Sequence, residues 1–149
     1  MDFSQITDYL YIGDIPRADD YDILRNLGVR LVIDMCFDKP PVIDLRQPPL
    51  DLLWLPAFDS PLLVIPIWLL KRGVRAALKT FQAGGKVYAH CKKGRHRGPA
   101  MGASILIAQG YDPEEAIDLI KLQRPIADPG IFYIRSRILR FAHAWEKSY

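Results

Sequence analysis

The chain has 149 residues, half of them apolar and 25% charged, with 20 Lys+Arg against 17 Asp+Glu and two cysteines. Such a length suits one compact domain spanning 1–149, and the composition excludes collagen-like, coiled-coil and disordered chains. Too few cysteines for a disulfide framework, no secretory signal pattern in Met1 to Tyr11 and no uninterrupted apolar run of about 20 residues together predict a cytoplasmic or peripheral protein.

In chain order, Ile6 to Ile12 reads as a strand pair or extended segment closed by Gly13-Asp14. Asp19 to Leu27 has helical spacing, with Gly28 where a left-handed C-cap is wanted. Leu31 to Ile33 is a short apolar run of the kind expected in a buried strand, ending at Asp34-Met35-Cys36. A proline-rich loop, Asp38 to Pro49, precedes a second short strand at Leu52 to Leu55. A helix is predicted from Ile67 to Gln82, stopped by Gly84-Gly85, then a strand from Lys86 to His90 and a small-residue helix from Gly98 to Gln109. Asp112-Pro113-Glu114-Glu115 supplies an N-cap, an N1 proline and a capping-box glutamate for the next helix. Asp128-Pro129 repeats the cap and N1 signals ahead of a last helix reaching Trp145. Short apolar strands alternating with helices predict an α/β fold, a central mostly parallel sheet flanked by helices on both faces.

The net charge of +3 conceals a division of the chain. Between Ser60 and Tyr111 stand nine basic residues and no acid, which leaves 11 basic and 17 acidic residues elsewhere. That segment attracts anions. Within it, His90-Cys91-Lys92-Lys93-Gly94-Arg95-His96-Arg97-Gly98 joins a predicted strand to a predicted helix. A loop in that position turns backbone N–H groups toward one point, where the helix dipole also favours negative charge. There a cysteine is held largely as thiolate and can attack phosphorus, while an arginine grips two phosphate oxygens with its planar fork. Gly94 lets the loop wrap closely, and His90 is placed to order the loop rather than to move protons.

His-Cys-x-x-Gly-x-x-Arg is the signature of the cysteine-based phosphatases, and the sequence resembles the dual-specificity branch of that protein tyrosine phosphatase superfamily. Ile6 to Gly13, Leu27 to Asp34, and Pro113 to Leu122 with Gln123-Arg124-Pro125 resemble other parts of the same pattern. The resemblance implies that Cys91 is the nucleophile, that Lys92, Lys93, Gly94, Arg95, His96 and Arg97 bind phosphate, and that no metal or cofactor is needed. It also implies a general acid about thirty residues before the cysteine, and Asp59 in Phe58-Asp59-Ser60-Pro61 stands 32 residues before it. A leaving alkoxide needs such a proton in any case; Asp34, Asp38 and Asp51 are the alternatives.

The chain departs from the family at Gly98, where a Ser or Thr hydroxyl usually eases departure of the cysteine sulfur. Slow breakdown of the phosphocysteine, or a phosphate-binding pseudophosphatase, is the implied consequence. Cys36 stands where tensin-type and regenerating-liver phosphatases carry a second cysteine, which implies a redox pairing with Cys91. The implied substrates are phosphotyrosine, phosphoserine and phosphothreonine proteins, with phosphoinositide or phosphatidylglycerophosphate as the alternative and nucleic acid excluded. From Pro48 to Leu70, 15 of 23 residues are apolar, so a lid beside the basic pocket suits an anionic phospholipid and peripheral membrane contact as well as inward packing. Trp54, Trp145 and the aromatic residues of the last helix read as core.

Overall fold

The computed structural model of the chain describes residues 1–147. Five strands form one sheet: β1 (Phe3–Gln5), β2 (Leu10–Gly13), β3 (Val29–Cys36), β4 (Asp51–Ala57) and β5 (Lys86–His90), in the order β1-β2-β5-β3-β4. Only the β1–β2 hairpin is antiparallel; the other pairs run parallel. The helices are α1 (Asp20–Leu27), α2 (Ile67–Gln82), α3 (Arg97–Ala108), α4 (Pro113–Gln123) and α5 (Phe132–Glu146).

Buried strands of a parallel sheet read as continuous apolar runs because alternate residues enter different layers. In β3, Val32 packs with Tyr21 and Leu24 of α1, while Leu31 and Ile33 face the layer built with α2 to α5. In β5, Tyr88 takes the α1 side and Val87 and Ala89 the other. Helices therefore cover both faces, one against four. The most buried helix is α3, and its small residues permit that: a Cβ on Gly102 would meet Ile12 Cδ1 at 2.4 Å.

Three expectations need correction. The N-terminal hairpin occupies Phe3–Gln5 and Leu10–Gly13, so Ile6 to Tyr9 is its turn rather than strand. Asp128 does not cap the last helix; its N–H donates to Arg95 O at 2.8 Å, and α5 starts after Ile131. Trp54 is 40% exposed with its indole N–H on Cys36 O at 2.7 Å, and Phe132 on α5 is 71% exposed, so neither is core. Trp145 and Phe141 are buried and stacked.

The parallel strands all end on one edge of the sheet, where open α/β sheets bind ligands. Register places Cys36 opposite Ala57, and Asp34 and Gly13 opposite His90. The segments after β4 and β5 leave the sheet from that edge.

Candidate active site

Between β5 and α3 the chain turns through residues 91–96 into a pocket of about 300 Å³ lined by Asp59, Cys91, Lys92, Lys93, Arg95, His96 and Arg97. Six of these seven come from the loop and the first residue of α3, and Asp59 comes from the segment after β4. No side chain caps the start of α3, a condition it shares with α1, α2 and α5, while Asp112 caps α4 with a full capping box. The first amides of a helix carry orphan donors, so those of α3 remain for a ligand at the pocket floor.

Arg97 is buried at the head of α3 and fixed by Nη1, which donates to Ala57 O at 2.9 Å and Met35 O at 3.3 Å. Its Nε is buried and has no hydrogen-bond partner among the described residues. Buried donors are nearly always paired, so this atom needs an acceptor from outside the chain.

The loop shape is held from behind by Arg124. This arginine is 1% exposed; Nε donates to Gly94 O at 2.9 Å, Nη2 to Lys93 O at 3.0 Å and Asp2 Oδ2 at 3.2 Å, and Nη1 to Ser4 Oγ at 3.1 Å. Gly94 has φ +68°, and a Cβ there would lie 2.7 Å from the Gly13 backbone. A side chain would be both strained and obstructed.

Beneath the loop lie three buried titratable groups. Asp34 Oδ1 accepts the Cys36 N–H at 2.8 Å and lies 3.9 Å from His90 Nε2. Burial pushes the Asp34 carboxyl up to about 6, against the Cys36 hydrogen bonds and the Arg97 charge. Burial likewise pushes His90 down to about 4, so its ring is neutral near pH 7. The Cys36 thiol is pushed up to about 12 by burial and by Asp34, with a smaller push from Cys91.

Asp59 is held at both oxygens. Tyr133 OH donates to Oδ1 at 2.6 Å, and Oδ2 is 2.9 Å from His96 Nδ1. Burial pushes its carboxyl up, but the hydrogen bonds from Tyr133 and His96 and the Arg97 charge outweigh it and hold the carboxyl below the usual carboxylate range. The pocket thus gathers Cys91, Lys92, Lys93, Arg95, His96, Arg97 and Asp59, while Asp34 stays beneath it and Gly94 and His90 lie in its frame. The Arg124 brace and the Tyr133 contact were absent from the sequence reading. Gln123-Arg124-Pro125 was a visible signal for the first; a lone tyrosine gave none for the second.

Mouse dual specificity phosphatase 28 is 26% identical over 132 residues, covering 87% of this chain and 77% of that protein. The crystal structure of human dual specificity phosphatase 28 superposes with a TM-score of 0.85 at 23% identity, over 98% of this chain and 99% of that one. The chain has the dual-specificity phosphatase fold. The resemblance to cysteine-based phosphatases is thereby borne out, and the relatives support a phosphatase. Rat phosphatidylglycerophosphatase and protein-tyrosine phosphatase 1 is 50% identical over 52 residues, which span 34% of this chain and 27% of that protein. No protein-family model matches the chain.

Proposed function

We propose that this dual-specificity-type chain is a single-domain, metal-independent, cytoplasmic phosphatase that hydrolyses phosphomonoesters through a phosphocysteine. The observation that carries the reading is the buried, unpartnered Nε of Arg97 in a pocket shared with Cys91 at an uncapped helix start. A phosphate oxygen supplies the acceptor, and the α3 amides take the others. Cys91 Sγ attacks phosphorus, the P–O bond to the leaving group breaks, and Asp59 gives its proton to the departing oxygen. Asp59 then accepts a proton from water, which attacks phosphorus; the S–P bond breaks and inorganic phosphate and the Cys91 thiolate are released. Lys92, Lys93 and Arg95 raise the local concentration of anionic substrate.

Phosphorylated protein is the first substrate class, supported by the long match to a dual specificity phosphatase. Anionic phospholipid is the second reading, supported by a specific surface. Leu62 is 90% and Trp68 63% exposed, Leu63 and Val64 are also exposed, and Phe37 and Phe58 stack beside Asp59, whereas Ile65, Leu69 and Leu70 turn inward. The redox pairing of Cys36 with Cys91 belongs to the same reading: peroxide converts the Cys91 thiolate to a sulfenic acid, and the Cys36 thiol condenses with it, releasing water. Two unpaired cysteines agree with a reducing compartment.

The test is a turnover panel of phosphopeptides, phosphoinositides and phosphatidylglycerophosphate with wild type and Cys91→Ser. Phosphate release lost in Cys91→Ser supports the reading. Phosphate binding without turnover in the wild type overturns it in favour of a phosphate-binding protein.

A further inference from the structure

The segment 58–66 carries Asp59 but belongs to neither strand nor helix. Arg137 Nε on α5 donates to Ile65 O at 2.9 Å and ties down its far end. At its near end Phe58 stacks on Phe37, and two hydrogen bonds run through the Asp59 carboxylate itself, one to α5 and one to the phosphate loop. Tyr133 and His96 also meet edge to face, with centroids 5.8 Å apart and the hydroxyl 3.4 Å from Nδ1. A carboxylate, an imidazole and a phenol from three separate segments converge at the pocket mouth.

His96 was expected among the phosphate ligands, but its Nδ1 is committed to Asp59. Resting on the phosphatase reading above, we propose that His96 and Tyr133 are positioning residues that latch the Asp59 segment against the phosphate loop and aim its carboxyl into the pocket. Two donors on separate oxygens fix both the position and the rotation of the carboxyl plane, which a single bond does not. When Asp59 has given its proton to the leaving oxygen, the carboxylate formed is caught by both donors and stays oriented for the incoming water. The same donors favour the ionised carboxyl, so they narrow the pH range in which Asp59 carries a proton to give.

The groups facing Asp59 and Tyr133 are His96 and Arg97 at the head of α3, Cys91, Lys92, Lys93 and Arg95 in the loop, and Asp128 ahead of α5. Apart from His96, none is altered in the variants below. For an acid that must be protonated, the rate falls as pH rises through its pKa. Removing a donor to the carboxylate raises that pKa, so the falling limb moves to higher pH.

The test compares wild type with Tyr133→Phe, His96→Ala and His96→Asn, the last keeping an N–H donor near Nδ1. Substrates are an alkyl phosphate, whose leaving group needs a proton, and an aryl phosphate with a strongly acidic phenol, which departs with little help. Tyr133→Phe and His96→Ala are expected to lower kcat about tenfold on the alkyl ester and about twofold on the aryl ester, with KM little changed. Their falling limb moves upward, and His96→Asn recovers most of the loss. Equal losses on both esters, or an unmoved limb, overturn the proposal. The Asp59 carboxyl is also titrated by carbon-13 NMR, which needs no turnover. Should the wild type hydrolyse neither ester, the phosphatase reading fails by itself. An Asp59 midpoint that rises in Tyr133→Phe then still supports the latch, and an unmoved midpoint overturns it.

Discussion

Asp34 is a carboxyl buried beneath the loop, and Asp34→Asn measures what its charge costs there. Its side chain is 2% exposed, accepts the Cys36 N–H at 2.8 Å, and is raised by burial from 3.8 to about 6. In the unfolded chain it titrates near its ordinary value. Between about pH 4 and pH 6 the folded protein therefore holds a proton that the unfolded chain has released. Stability falls as pH rises through that window and stays lower above it. At about 1.4 kcal/mol per pH unit, the penalty is about 3 kcal/mol at pH 8 and about 1 kcal/mol at pH 4.5. Asparagine keeps an acceptor for Cys36 without the charge, so Asp34→Asn is expected to be more stable than wild type by up to these amounts. His90, pushed down to about 4, has the opposite dependence: its contribution is present above the ordinary 6.5 and is lost as pH falls toward 4. Near pH 8 its ring is neutral in both proteins and drops out of the difference; at lower pH, with Asp34 Oδ1 3.9 Å from His90 Nε2, the difference reports the pair rather than Asp34 alone. Urea unfolding of both proteins at pH 4.5, 6 and 8 gives it directly. A variant less stable than wild type at pH 8, or a gain that does not shrink on acidification, refutes the reasoning. Loss of the Asp34 charge beside Arg97 should also tighten inorganic phosphate binding at pH 7, readable by calorimetry.

Gly98→Ser should fit, because a Cβ at Gly98 meets its nearest atoms at 3.5 Å, an ordinary contact. If sulfur departure limits turnover, the added hydroxyl raises steady-state kcat about tenfold, with the burst phase unchanged. Gly94→Ala imposes a positive φ on a side chain and a clash with Gly13, and should abolish turnover and phosphate binding while costing about 1–3 kcal/mol of stability by thermal unfolding. Arg124→Met leaves Gly94 O and Lys93 O without their donor and should cost about 3 kcal/mol, with a larger loss in kcat than Lys121→Met, a nearby exposed charge. Leu62→Asp with Trp68→Ser should reduce sedimentation with vesicles rich in anionic lipid and leave unfolding within about 0.5 kcal/mol. Unchanged sedimentation counts against the phospholipid reading.

The strand-loop-helix around Cys91 was legible because every signal it needs is local. The apolar run of β5, the glycine, and the small residues of α3 lie within 23 residues of one another, and α2 came out at Ile67–Gln82 because Pro66 and Gly84-Gly85 punctuate it. Chemistry asks for some acid, and the family resemblance points to Asp59 about thirty residues before Cys91, although sequence does not reveal what holds it. Tyr133 lies 74 residues away and His96 37, and nothing periodic marks either. Asp128-Pro129 misled for a related reason. The pair has the local form of a helix start, but it closes as a turn with Ile131 N–H on Asp128 O, tied to the loop by Asp128 N–H on Arg95 O, and α5 begins only after Ile131. Trp54 misled through β4, an edge strand with an open side on which a half-exposed indole can rest on the neighbouring strand end.

Arg124 joins Gly94 and Lys93 to Asp2 and Ser4, contacts that span up to 122 residues. The phosphate loop, though written as eight consecutive letters, acquires its shape only when the first hairpin and the end of α4 meet around it. Arg124 stands thirty residues after Gly94, so a chain that lacks the end of α4 lacks the donor to both loop carbonyls, and the shape of the loop is a property of the completed fold rather than of its own eight letters.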